Sequence, residues 1–295
     1  MSCPVYQEVW MSRKRRFVIA AALCAAAVFL FFIFVKFHAP KQEKYINKSG
    51  NTISTRFKVP EGYERVKTEE GSFEYYLQNL PLKKYGSKAY HYNGKINRNA
   101  PVYGVFDNEI TPKNLEQCAD AVMRLWAEYL YYRGEYDRIK FNFVNGFECD
   151  YVSYAEGNRL HVDDKICYWY KDAEEDYSYE TFRRYMDLVH NYANTTSLQK
   201  QAEPVSYEDI RIGDIFVMTA SQMNKSLGHA VIVVDMCVNK ETGEKLLLIA
   251  ESTTPASETY VVTDREGNVW IRLDEFGALH TSTWSCPGEF LRRLK

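Results

Sequence analysis

The sequence predicts an α+β protein, an antiparallel sheet packed against helices, preceded by a transmembrane helix. Three observations predict it. Residues 17 to 35 form an apolar run without a charge, two long amphipathic segments follow, and the last third is dense in short Val- and Ile-rich runs separated by turn residues. Helices first and a meander of strands afterwards is the pattern of helices stacked on an antiparallel sheet.

The first element is "FVIAAALCAAAVFLFFIFV", residues 17 to 35, placed directly after the basic "RKRR". At 1.5 Å per residue this helix is about 28 Å long, close to the hydrocarbon thickness of a bilayer. A cleaved signal peptide is the competing reading, but its apolar core would be shorter and would end in small residues. Here the run ends in Phe and Val, and Cys24 follows Leu23 where a lipoprotein would carry a small residue. An uncleaved signal anchor is therefore expected, with residues 1–16 cytoplasmic and the remainder exported, since basic residues stay inside. Residues 36–56 read as a polar linker and 57–295 as one exported domain.

The whole chain has 295 residues, 46% hydrophobic and 15% aromatic, which suffices for a sizeable core. Its net charge of -2 offers no field for nucleic acid, and no basic stripe with interleaved aromatics follows residue 60. Five cysteines, Cys118, Cys149, Cys167, Cys237 and Cys286, fall in the exported part. An odd number leaves at least one thiol unpaired within the chain.

Within the domain, "GSFEYYLQNLPL" reads as a short helix opened by Ser72 and closed before Pro81. Asn93 and Gly94 mark a hairpin turn. The clearest helix is "TPKNLEQCADAVMRLWAEYLYYRG", with Leu115, Cys118, Ala119, Val122, Leu125, Trp126, Tyr129 and Leu130 at helical spacing. Asn114 is its expected N-cap, Gln117 the matching capping-box residue and Gly134 its end, leaving Asp120 and Arg124 on a solvated face. Two strands with a turn at Asn145 and Gly146 come next, then an acidic, tyrosine-rich loop from Tyr168 to Tyr179. "YETFRRYMDLVHNYANT" is a second helix with Phe182, Tyr185, Met186 and Val189 inward. The strands "RIGDIFVM", "HAVIVVDM", "KLLLIAES", "TYVVTD" and "VWIRL" complete the chain.

The chemistry-bearing residues are Cys118, His229 and Glu251. A thiol nucleophile needs its thiolate, and the first turns of a helix supply the partial positive charge that favours it. Cys118 is expected there. His229, at the head of a strand, is held rigidly enough to act as general base, and Glu251, ending the adjacent strand, is the candidate to orient its ring. Alternation places His229 on one face with Val231, Val233 and Asp235, whereas Glu251 joins them only in one hairpin register. Gln117 is a candidate oxyanion or supporting donor. His161, Asp163 and Asp164 lack a partner at ligand spacing and read as a loop, so no metal or cofactor is expected. The aromatics of "CYWYKD" read as core rather than as a binding platform.

The order of Cys118, the Gly-Asp of "RIGDIFVM" and the histidine of "GHAVIVVD" resembles the papain-like fold of cell-wall cysteine peptidases and amidases of the NlpC and CHAP type. The stretches "LEQCADAVMRLWAEYL", "YETFRRYMDLVHNYANTTSL", "GDIFV", "GHAVIVVD" and "TPA" more closely resemble an exported domain-of-unknown-function family of Bacteroides-like bacteria, over residues 56 to 293. The first resemblance implies a papain-like core and a membrane-anchored hydrolase of an amide bond in the cell envelope, with peptidoglycan or a peptide as substrate. The chain departs from it in the long separation of Cys118 from His229, and from the closer family in carrying Glu251 where glutamine is common. The alternative is an envelope binding or structural protein that keeps the scaffold without the chemistry.

Overall fold

A computed structural model describes residues 41–163 and 166–295. The apolar run 17–35 and Asp164 lie outside the described residues, among which no helix is long and apolar enough to cross a membrane. The described chain runs through α1 (Ile53–Arg56), β1 (Tyr63–Arg65), α2 (Phe73–Gln78), α3 (Cys118–Tyr132), β2 (Lys140–Asn142), β3 (Glu148–Asp150) and α4 (Tyr151–Ala155). It continues through β4 (Asn158–Val162), β5 (Cys167–Lys171), α5 (Tyr179–Tyr192), α6 (Thr195–Gln201), β6 (Glu203–Pro204), β7 (Ile215–Met218) and α7 (Ala220–Met223). The last third holds β8 (His229–Asn239), β9 (Lys245–Glu251), β10 (Tyr260–Val261), β11 (Leu279–His280), β12 (Ser285–Cys286) and β13 (Leu291–Arg293). Antiparallel strands and packed helices give the mixed α and β architecture that the sequence predicts.

The main sheet has the order β10-β9-β8-β7-β13-β6, with β1 also pairing β8. Its centre is β8, where β7 covers one edge along Ile232 to His229 and β1 continues that edge at Cys237 to Asn239. The other edge pairs β9 along its length. From Ala230 to Cys237 every residue of β8 is buried, which its Val- and Ile-rich composition permits. The helix α3 packs against β8, and Trp126 meets Phe73 of α2 edge-on at 4.9 Å.

The register of β8 against β9 shifts between Val233 and Asp235. Val233 stands opposite Ile249 and Asp235 opposite Leu248, and partners across a ladder share a face. Consecutive residues of β9 alternate faces, so Asp235 lies on the opposite face from Val233 and His229, not on the same one as strict alternation predicts. Asp235 is fully buried, and its Oδ2 accepts from Arg65 Nε at 2.8 Å while Oδ1 accepts from Gln78 Nε2 at 2.7 Å. Arg65 also donates to the carbonyls of Ser54 and Phe57. One carboxylate thereby ties α1, β1 and α2 to the central strand.

Other segments depart from expectation for local reasons. Residues 46–56, expected as the end of a linker, contribute Ile46 and Ile53 to the core, and the buried Arg56 donates to the carbonyls of Gly50, Tyr103 and Lys83. Tyr168 and Tyr170 lie on β5 of a β4–β5 hairpin, not in a loop, and His161 pairs opposite Tyr168 in it. The segment after Asp150 is helical because Asp150 caps it, its carboxylate accepting from Ser153 N–H. "VWIRL" makes only a bridge at Ile271 to Leu247. The inward residues of α5, Phe182, Tyr185, Met186 and Val189, are fully buried as expected.

Arg65→Ala leaves the Asp235 carboxylate buried without its charge partner, a loss of about 3 kcal/mol or more. Lys48→Ala, which removes an exposed pair with Glu43, costs under about 1 kcal/mol. Urea denaturation of both variants at neutral pH separates the two magnitudes.

Candidate functional site

The helix α3 begins at Cys118, with Gln117 as its N-cap residue. The start falls later than Asn114 because Asn114 is engaged elsewhere: its Oδ1 accepts from Ala256 N–H at 2.8 Å. Asp120 caps instead, accepting from Gln117 N–H at 3.0 Å. The shift matters for chemistry. Cys118 becomes the first residue of the helix, where the backbone N–H has no intrahelical acceptor and the dipole is most positive.

His229 opens β8, opposite Met218 of β7. Its Nε2 lies 2.9 Å from Glu251 Oε2, and the Cys118 side chain is close enough to the ring to act on its charge. With Nε2 engaged by the carboxylate, Nδ1 is the nitrogen left for sulfur. The Cys118 sulfur also lies 4.0 Å from the Gly228 carbonyl. Ile232 is paired with Ala250, so Val231 stands opposite Glu251 and His229 sits diagonally from it on the same face. That is the register the sequence left open.

Glu251 is 2% exposed, and three groups hold it. Tyr260, directly opposite on β10, donates its hydroxyl to Oε1 at 2.8 Å. Thr283 donates to the same carboxylate at 3.3 Å, and the neighbouring Trp284 meets the His229 ring edge-on at 4.8 Å. Burial alone pushes the His229 imidazole down, but the interactions with Cys118 and Glu251 outweigh it and lift it to about 10. Both neighbours thus favour the charged form of the ring.

Beside Cys118 opens a cleft of about 190 Å³, walled by Gln117, Gly228, Thr254, Asp120 and His190. Gln117 Oε1 accepts from the Thr254 hydroxyl at 2.7 Å and its Nε2 reaches Asn114 O at 3.4 Å, so the side chain is anchored beside the thiol. Asp120 and Arg124 are buried, not solvated: Arg124 pairs with Glu116 at 2.7 Å and Glu128 at 2.8 Å. Burial pushes the Asp120 carboxyl well above the carboxylate range. Burial, with Arg183 and Arg124 nearby, pushes His190 down to about 3, so it stays neutral. The five cysteines of the described residues are all free, and only Cys118 adjoins a histidine and a carboxylate in this way.

The structure thus brings Cys118, His229 and Glu251 together, with Gln117 alongside. His161 and Asp163 stand apart on the β4–β5 hairpin, 3.3 Å from each other. Sequence reasoning missed Tyr260, Thr283, Trp284, Asp120 and His190. A signal existed only for Tyr260, as the first residue of "YVV" after a turn, and using it requires the strand register.

The charged ring has a pH signature. A histidine raised above its unfolded value stabilises fully below about pH 6.5 and loses that contribution as pH rises toward 10. Denaturation across this window should show wild type losing stability relative to Glu251→Gln, with the difference closing near pH 10. At Gly228 an added Cβ would stand 2.4 Å from the Met218 carbonyl and 2.3 Å from Thr195 Oγ1. Gly228→Ala must therefore displace the entry to β8, and is expected to destabilise by about 1–3 kcal/mol and to disturb the His229 resonance in NMR spectra.

Comparison with known proteins adds the family. No curated protein and no solved structure matches the chain. Residues 53–293 match the family described as a domain of unknown function (4846), and since they make up most of the chain, the protein belongs to that family.

Proposed function

We propose that the protein is a membrane-anchored, exported cysteine hydrolase of the cell envelope, a peptidase or amidase acting on an amide bond, with peptidoglycan or a peptide as substrate. One observation carries the reading: an imidazole held through Nε2 by the buried Glu251 carboxylate lies beside a helix-starting cysteine, leaving Nδ1 free to serve the sulfur. The papain-like core is part of the same proposal, supported by the order helix-borne cysteine, strand-borne histidine and next-strand polar residue.

In this mechanism the Cys118 thiolate attacks the substrate carbonyl carbon, forming a C–S bond. The oxyanion that develops is met by the Cys118 backbone N–H, with the Gln117 amide as the neighbouring side-chain donor. The His229 imidazolium gives its proton to the leaving nitrogen as the C–N bond breaks. Neutral His229 then takes a proton from water, whose oxygen attacks the thioester, and the carboxylic acid leaves as the thiolate returns. Glu251 holds the ring orientation throughout and stabilises its charge, itself fixed by Tyr260 and Thr283.

A second reading, an envelope binding or structural protein, draws on a specific observation: Cys118 is only 6% exposed. Alkylation of the full chain by iodoacetamide, mapped by mass spectrometry, separates the two. The hydrolase reading expects Cys118 to be labelled fastest at neutral pH, with His229→Ala slowing it about 100-fold. Labelling of Cys118 no faster than of Cys286, unchanged in His229→Ala, would reject the hydrolase and leave the binding protein.

A further inference from the structure

A second cavity, far larger than the cleft at Cys118, lies between α2, residues 107–112, the later turns of α3 and the start of α5. Its volume is about 860 Å³, within the range of ligand-binding pockets. Tyrosines dominate its walls, and three of them are not spent on the core: Tyr132 is 65% exposed, Tyr179 39% and Tyr75 38%. The rings of Tyr132 and Tyr179 stack at 6.2 Å with an interplanar angle of 20°. Tyrosine rings open to solvent along a cavity offer flat apolar faces with a polar rim.

The floor is charged but internally neutralised. Arg124 lies between Glu116 and Glu128, Arg183 pairs with both at 3.3 and 3.7 Å, and Tyr179 donates to Glu128 at 2.7 Å. Exposed carboxylates of Glu70, Asp107 and Glu109 line the mouth. An anion would pass those carboxylates, and a cation would meet two guanidinium groups beneath, so neither sign of charge suits the whole cavity. A purely apolar ligand would cover the carboxylates at the mouth without pairing them.

We infer that this cavity binds an uncharged saccharide. Pyranose C–H faces would stack on the Tyr132 and Tyr75 rings, and ring hydroxyls would donate to the exposed carboxylates of Asp107 and Glu109 at the mouth. The inference goes beyond the proposed hydrolase and does not depend on it, because no atom of Cys118, His229 or Glu251 takes part.

The test uses the full chain carrying Cys118→Ala, so that hydrolysis cannot confuse binding. Chitotriose, cellotriose and maltotriose are titrated by isothermal calorimetry, with trialanine as the peptide probe. At least one trisaccharide is expected to bind, and Tyr132→Ala, at an exposed ring that leaves Tm unchanged, is expected to weaken it about tenfold. Asp107→Ala is expected to weaken it as well. Absence of binding by all three sugars up to millimolar concentration, binding indifferent to Tyr132→Ala, or trialanine binding in their place would overturn the assignment.

Discussion

The constraint on which the rest depends is the enclosure of β8. Flanked by β7 and β1 on one edge and β9 on the other, and covered on its faces, this strand cannot slide without exposing a row of valines and breaking two ladders. Its rigidity fixes where His229 stands at one end and where Asp235 stands near the other. Everything that gives the domain a chemically interesting corner hangs from the first, and much of what joins its N-terminal segment to the sheet hangs from the second. A one-residue slip would undo both at once.

The site is assembled from polar groups that satisfy one another in a buried setting. Glu251 is buried and is held by Tyr260, Thr283 and His229. Such a network is costly when partly satisfied and rigid when complete. The same logic governs the charged floor beneath the tyrosine cavity, where Glu116 and Glu128 keep two arginines paired. Two unlike sites thus share one helix: Cys118 begins α3 and faces the cleft, while Arg124 and Glu128, further along it, face the larger cavity.

The elements that repeat with a clear period were legible in the sequence: α5, the body of α3 and the β7–β8–β9 meander. So was His229 at the head of its strand, because the Val- and Ile-rich run after it marks the start, whereas Cys118 was read within the first turns of its helix and stands at its first residue. What escaped depended on competition between partners. The start of α3 moved because Asn114 found Ala256, a residue far along the chain, more accessible than its own helix. Asp120 and Arg124 read as solvated because helical spacing reports one face only, and here the opposite face is buried as well. The position of Glu251 rests on a ladder register, and that of Tyr260 on the next one. Neither is contained in local pattern. Asp235 changed face through a single irregular residue, which alternation by its nature does not anticipate.

That irregularity at Val234 divides β8 into two segments whose side chains keep opposite parity. Upstream, odd-numbered residues look toward the thiol; downstream, the odd-numbered Asp235 looks toward the N-terminal segment. A sequence that lost Val234 would regain a regular ladder with both ends facing as they do now, whereas losing a residue from either regular segment would turn one end over. The irregular residue is thus the one point between the histidine and the aspartate where the strand can change length and still present both side chains to their partners.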